Sequence, residues 1–245
     1  KIIRFDRKTM SFKTKISRYY RPSGDGEHLK KLLSKYKRED VAAAAQRHLE
    51  SVVADYITAL IDKIGKNNLA LAGGVFANVK LNQALNHING VKSIFIHPHM
   101  GDGGLSMGAS LWIQNAEFKP LNTEFDNLYL GPSYPEQYIK KELKKNNLDF
   151  KYLKDIEYQI AELLAKGKVV ARFDGRMEYG PRALGNRSVL YQTTDKSVND
   201  WLNKYLKRSE FMPFAPATLA RFVKKCYVDY KGAEYAAKFM TITFD

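Results

Sequence analysis

Cysteine is almost absent: Cys226 is the one thiol in 245 residues. A single cysteine excludes an intrachain disulfide framework and fits a reducing compartment, so a cytoplasmic location is expected. Long apolar runs are missing as well, and none approaches the ~20 residues that a membrane-spanning helix needs. The opening KIIRFDRK has neither the apolar segment nor the cleavage site of a secretory signal. It lacks a methionine and reads like the middle of a strand, so the chain is expected to be a piece of something longer. Acidic residues are few beside the basic ones, 26 against 40, which leaves a net charge of +14. The lysines are dispersed through helix-like stretches such as KKLLSKYKRED and YIKKELKKNN, the pattern of solvated faces. The same field can steer small phosphorylated substrates. The 15 Tyr and 13 Phe fall mostly at expected core positions. No single-strand stacking module is recognisable, so nucleic acid is not the expected partner.

What is present is the periodicity of an α/β protein. Loose alternation over 1–20 predicts a hairpin, and RPSGDGE at 21–27 is a turn-rich joint. From Glu39 to Ile64, apolar residues at helical spacing predict a long helix. A strand at Leu69–Ala72 ends on Gly73-Gly74, and a helix follows over Asn78–Leu85. A second strand at Ser93–Ile96 leads through HPHMGDGG into a helix at Leu105–Ile113. Prolines and glycines cluster over Glu117–Pro135, which places a domain joint there and gives domains of 1–118 and 119–245. Beyond it, helices are expected at Glu136–Asn146, Ile156–Leu164 and Ser197–Leu206. Strands are expected at Phe150–Leu153, at Lys168–Phe173, after the basic turn KRSEFMP, and at the closing FMTITFD.

Three stretches carry chemistry. In LALAGGVFANVKLN, Gly73 and Gly74 sit between strand and helix, where a ligand can approach the backbone and helix amides can face an anion. Asn78 and Asn82, four apart, could share one cleft-facing side; a plain strand-to-helix turn is the alternative. Neither GxxxxGK nor GxGxxG spacing is present. In HPHMGDGG, His97 and His99 would point opposite ways on a strand. Asp102 among glycines is the better cation ligand, with a helix N-cap as its alternative role. In GRMEYGPRALGNRS, Arg176, Arg182 and Arg187 offer forks for phosphate or carboxylate, and Glu178 is expected to position a guanidinium. An arginine-laced structural loop is the other reading. Lys207 and Arg208 follow one helix later, so two basic clusters could face a polyphosphate. Cys226 has no histidine nearby and reads as incidental.

GRMEYGPRALGNRS with LNKYLKRSEFMPFAP resembles the C-terminal region of the O-carbamoyltransferases of nodulation-factor, tobramycin and cephalosporin pathways. AGGVFANVKLN and HPHMGDGGLSMGAS resemble the second lobe of that family's actin/Hsp70-like domain. The resemblance implies a partial ATPase-type lobe followed by a threonylcarbamoyl-adenylate-synthase-like domain, truncated at both ends. It implies that the C-terminal domain makes carbamoyladenylate from ATP and carbamoyl phosphate. The actin-like domain then passes the carbamoyl group to an acceptor hydroxyl on a metabolite or sugar, using a divalent metal, iron by resemblance, with magnesium accompanying ATP. By resemblance Asp102 is a metal ligand, and Gly73, Gly74 and Asn78 hold the adenylate. Arg176, Arg182, Arg187 and Ser188 fall in the ATP and carbamoyl phosphate motif, and Lys207 and Arg208 match the basic pair beside it. Three departures stand out. The family's paired metal histidines lie in the first lobe, outside this chain, which is therefore an expected partner along with a second copy. KRSEFMP is one residue shorter than the usual motif, with Met212 in place of an arginine. The chain also stops before the family's HVDGT segment. A tRNA-threonylcarbamoylation enzyme and a non-catalytic nucleotide-binding fragment remain alternatives.

Overall fold

The computed structural model describes residues 3–14, 31, 33–119, 125–195, 197–207 and 213–245. It is a mixed α/β protein of two compact units, Lys1–Asp102 with Val223–Asp245, and Gly103–Phe222. Among the described residues, no helix is long and apolar enough to cross a membrane.

The first unit opens with the expected hairpin, β1 (Ile3–Asp6) antiparallel to β2 (Ser11–Thr14) with Phe5 opposite Phe12. Both rings pack on Tyr56 at 5.3 and 5.1 Å. Tyr56 belongs to α1 (Arg38–Ile64), whose alanine-rich start favours helix. Glu39 and Asp40 lie in its first turn and Lys63 in its last, both suited to the helix dipole, and the Gly65 N–H closes on the Ile61 carbonyl. Strand β3 (Asn68–Leu71), helix α2 (Val79–Asn86) and strand β4 (Ser93–Ile96) form a βαβ unit. The strands are parallel, Leu71 opposite Ile96. Leu71, Ile94 and Ile96 meet Leu81 and Leu85 of α2 and Ile57 of α1 in the core.

The core is completed from the far end of the chain. After α7 (Val223–Cys226), Gly232 accepts the Ile94 N–H at 2.8 Å. Ala233, Ala236 of α8 (Glu234–Lys238) and Ile242 then join the core. The closing FMTITFD forms no strand. Thr241, fully buried, turns back so that its hydroxyl and its N–H both donate to the Ala236 carbonyl. Its own carbonyl accepts from Asn82 at 2.7 Å. The alternation is real, but among the described residues no strand pairs with this tail, which packs through turns instead.

In the second unit, helices α3 (Leu105–Glu117), α4 (Glu136–Lys145) and α5 (Ile156–Ala165) lie where periodicity places them. Strand β5 (Val170–Phe173) pairs antiparallel with β6 (Arg187–Leu190), Phe173 opposite Arg187, and α6 (Val198–Tyr205) follows. The strand expected at Phe150–Leu153 is absent. Its side chains stay exposed, and among the described residues no strand pairs with it. No strand follows the basic turn either, over 213–219; residues 208–212 of that turn, with Arg208, lie outside the described residues.

Candidate functional site

In the first unit, the carboxyl ends of two parallel strands deliver two glycine-bearing loops side by side. Open α/β sheets place ligands in this position. Gly73 has φ 116°, a conformation that side chains resist, and its N–H donates to the Met100 carbonyl at 2.6 Å. The turn after β3 is thereby tied to the loop after β4, two residues from Asp102. Among the described residues, a Cβ at Gly73 or Gly74 would meet nothing within 4 Å. A single 3₁₀ turn, Gly74–Ala77, leads to Asn78, whose Oδ1 caps α2 by accepting the Leu81 N–H at 3.0 Å.

Asn82 does not share a cleft with Asn78. It is fully buried, and its Nδ2 donates to Phe76 and Thr241 carbonyls at 2.8 and 2.7 Å. Asn82 lies one helical turn beyond Asn78, and its face is covered by a segment 159 residues away. Asp102 is exposed at the head of a short turn, and the N-cap position of α3 belongs to Gly104. The His99 N–H donates to Nδ1 of His97 at 3.2 Å, which occupies one nitrogen of the pair. Among the described residues, no group of three or more His, Cys, Asp or Glu could hold a metal. Asp102 fits one position of a metal shell, and the described residues do not supply the rest of a shell around it.

In the second unit the arginine motif folds around Glu178. This carboxylate is 7% exposed, and its Oε1 accepts the backbone N–H groups of Leu184, Asn186 and Arg187 at 2.9, 2.7 and 3.1 Å. Burial pushes its pKa up, and the backbone N–H bonds together outweigh that and hold it below the usual glutamate range. Glu178 therefore shapes the loop through peptide amides, where a guanidinium partner had been expected. Ser188 joins the same loop, its Oγ accepting from the Gly185 N–H at 2.9 Å.

The three arginines divide. Arg187 lies over the Phe173 ring at 3.6 Å. It donates from Nη1 to the Asp174 and Asn186 carbonyls and from Nη2 to those of Gly175 and Pro132. Its four Nη donors are thus occupied by backbone, the staple role. Arg176 sends Nε and one Nη2 hydrogen to the Gly131 and Leu130 carbonyls, both at 3.1 Å, and keeps its remaining donors at an exposed position. Arg182 sits half-buried on the Gly180–Gly185 segment. Lys207 is exposed just after α6 at φ 51°.

Residues 128–132, within the proline- and glycine-rich stretch, form a strap on this loop. The Tyr179 N–H donates to Leu128, Gly131 to Met177 and Met177 to Pro132, at 2.7, 2.9 and 3.0 Å, and Tyr129 Oη donates to Leu184. Gly131 is required by close approach, since a Cβ there would lie 2.9 Å from both Cβ and O of Met177. Gly131→Ala is expected to lift the strap at a cost of roughly 1–3 kcal/mol, read as a lower thermal midpoint. The GP pair at 131–132 was the available signal, and it served equally well for a linker.

Sequence models of one family match both parts of the chain: carbamoyltransferase N-terminus over residues 2–111 and carbamoyltransferase C-terminus over 161–245. Protein MJ1058 of Methanocaldococcus jannaschii is 34% identical over 229 residues, covering 89% of this chain and 37% of its own length. Nodulation protein NolO of Bradyrhizobium diazoefficiens is 35% identical over 188 residues, covering 75% of this chain and 34% of itself. Nodulation protein U of Sinorhizobium fredii is 31% identical over 186 residues, covering 74% and 32%. The chain belongs to the carbamoyltransferase family. It spans about a third of the length of these relatives.

Proposed function

We propose that the protein containing this chain is an ATP-dependent O-carbamoyltransferase. The observation that carries the reading is the match of one chain to both ends of the family, with the arginine motif in one match and the glycine turn in the other. In overall balance, carbamoyl phosphate, water and ATP give carbamoyladenylate, phosphate and pyrophosphate. An acceptor hydroxyl then attacks the carbamoyl carbon, a C–O bond forms, its proton leaves, and AMP departs.

Phosphate, pyrophosphate and AMP all leave as anions, and stabilising departing anions is the task an arginine loop suits. Arg182 is the ligand-binding arginine in this reading, aided by the exposed donors of Arg176 and by Lys207 and Arg208. Arg187, Ser188 and Glu178 act by holding the loop's shape. Gly73 and Gly74 let the adenylate lie against backbone, with Asn78 beside them. A divalent metal would supply charge stabilisation at the carbamoyl oxygen, with Asp102 as one of its ligands. The acceptor is a small hydroxylated metabolite or sugar.

The test is carbamoyl phosphate-dependent release of pyrophosphate from ATP by the full-length protein, with Arg182→Ala in parallel. Release by the wild type, reduced about 100-fold or more in the variant, is the expected result. A folded wild type that binds ATP and releases none would overturn the reading, and release that requires tRNA would move it to tRNA threonylcarbamoylation.

A further inference from the structure

Behind the glycine turn, Asn78 is held by Gln46 of α1, which Glu50 holds in turn, and the proposed chemistry has used neither. Gln46 and Glu50, one helical turn apart, face the same way. Gln46 Nε2 donates to Asn78 Oδ1 at 3.1 Å, and Asn78 Nδ2 donates to Gln46 Oε1 at 2.7 Å, so the two amides form a reciprocal pair. Gln46 Nε2 also donates to Glu50 Oε1 at 2.7 Å.

The orientation of each amide is forced. The Leu81 N–H can only donate, so the Asn78 atom that meets it is the oxygen. That oxygen then receives nitrogen from Gln46, and the same nitrogen meets Glu50, which as a carboxylate only accepts. Glu50 and Leu81 therefore lock the pair from opposite ends, and a flip of either amide would set like against like.

The proton count has a consequence. Asn78 Oδ1 already accepts two hydrogen bonds, and Nδ2 has given one hydrogen to Gln46. One Nδ2–H remains. We infer that Gln46 and Glu50 are positioning residues that present Asn78 as a single fixed donor to an acceptor atom of the nucleotide at the Gly73–Gly74 turn. The inference rests on the reading of that turn as the adenylate site. It narrows what the site accepts: the atom facing Asn78 Nδ2 is an acceptor, a phosphate or ribose oxygen or an unprotonated ring nitrogen. Fixing the amide beforehand also removes the ordering cost that a free asparagine would incur on binding.

The experiment titrates AMP calorimetrically into the full-length protein in an Arg182→Ala background, so that the turn's site reports without the arginine loop. Gln46→Leu, Glu50→Leu and Glu50→Gln are compared, each with its thermal midpoint. Gln46→Leu is expected to weaken AMP about tenfold and Glu50→Leu by less. Glu50→Gln keeps an oxygen that accepts from Gln46 and is expected to stay within about twofold of the parent. A merely structural tie between α1 and α2 would lower the thermal midpoint and leave AMP affinity unchanged, which overturns the inference. No AMP binding in the Arg182→Ala parent, although that parent is folded, would overturn the adenylate reading of the turn and the relay with it.

Discussion

Glu178→Ala is expected to abolish the proposed pyrophosphate release and to cost roughly 3–5 kcal/mol of stability in the second unit. One buried oxygen satisfies three backbone N–H groups in the four-residue span 184–187. Alanine leaves those amides without their acceptor, and orphaned buried donors cost about 1–3 kcal/mol each where water cannot reach them. The loop that relaxes is the one that carries Arg182 and sets the start of β6. Glu178→Gln retains an acceptor oxygen without the charge and should fall between. The acid response has a definite sign. The folded pKa lies below that of a free glutamate, so the contribution is complete above the unfolded value and is lost as pH falls through the depressed folded one. Wild-type stability should therefore hold through mildly acidic solution and drop below the ordinary carboxylate range. In Glu178→Gln this part of the drop should be missing. Thermal midpoints from about pH 7 to about pH 3 would show it, and parallel acid profiles for the two proteins would count against the role.

Much of this fold is legible in the amino-acid sequence. Apolar periodicity placed α1, β3, α2 and β4 to within a residue or two, because each buries one face against the same core. The glycines after β3 and β4 marked the carboxyl edge of the sheet for the same reason. Strand β6 was hidden, since its first residue is Arg187 and the motif around it reads as ligand chemistry. FMTITFD and 150–153 alternate like strands, but alternation reports a half-buried chain and cannot say whether a ladder partner is near. The arginines misled in an instructive way. A carboxylate among guanidinium groups looks like an ion-pair partner, whereas tight turns leave peptide N–H groups that need acceptors, and that demand is invisible in residue types. Glu178 answers the amides, while Arg187 answers the carbonyls.

Docking of the C-terminal segment supports the second large prediction: Gly232→Ala should destabilise the first unit by roughly 2–5 kcal/mol. Gly232 has φ +85°, and an added Cβ would come 2.4 Å from the Lys92 carbonyl oxygen, a backbone atom that cannot swing aside. The clash falls where the Gly232 carbonyl accepts the Ile94 N–H, so relief requires the segment to move off β4. Movement there exposes Ala233, Ala236 and Ile242 together and strips Asn82 of the Thr241 carbonyl. Gly90→Ala is the control. Its φ is +97°, but the nearest atom is the Asn67 side-chain nitrogen at 3.5 Å, so it carries the backbone strain without the clash. Urea denaturation of the full-length protein should show a loss of about 1 kcal/mol for Gly90→Ala and a clearly larger one for Gly232→Ala. A fragment ending near residue 118, at the proline-rich joint, would lack this part of the core altogether and should not fold cooperatively. If the two alanine variants prove equally stable, residues 223–245 do not belong to the first unit's core. In that case the carboxyl edge bearing Gly73 and Asp102 stands without support from the chain's end.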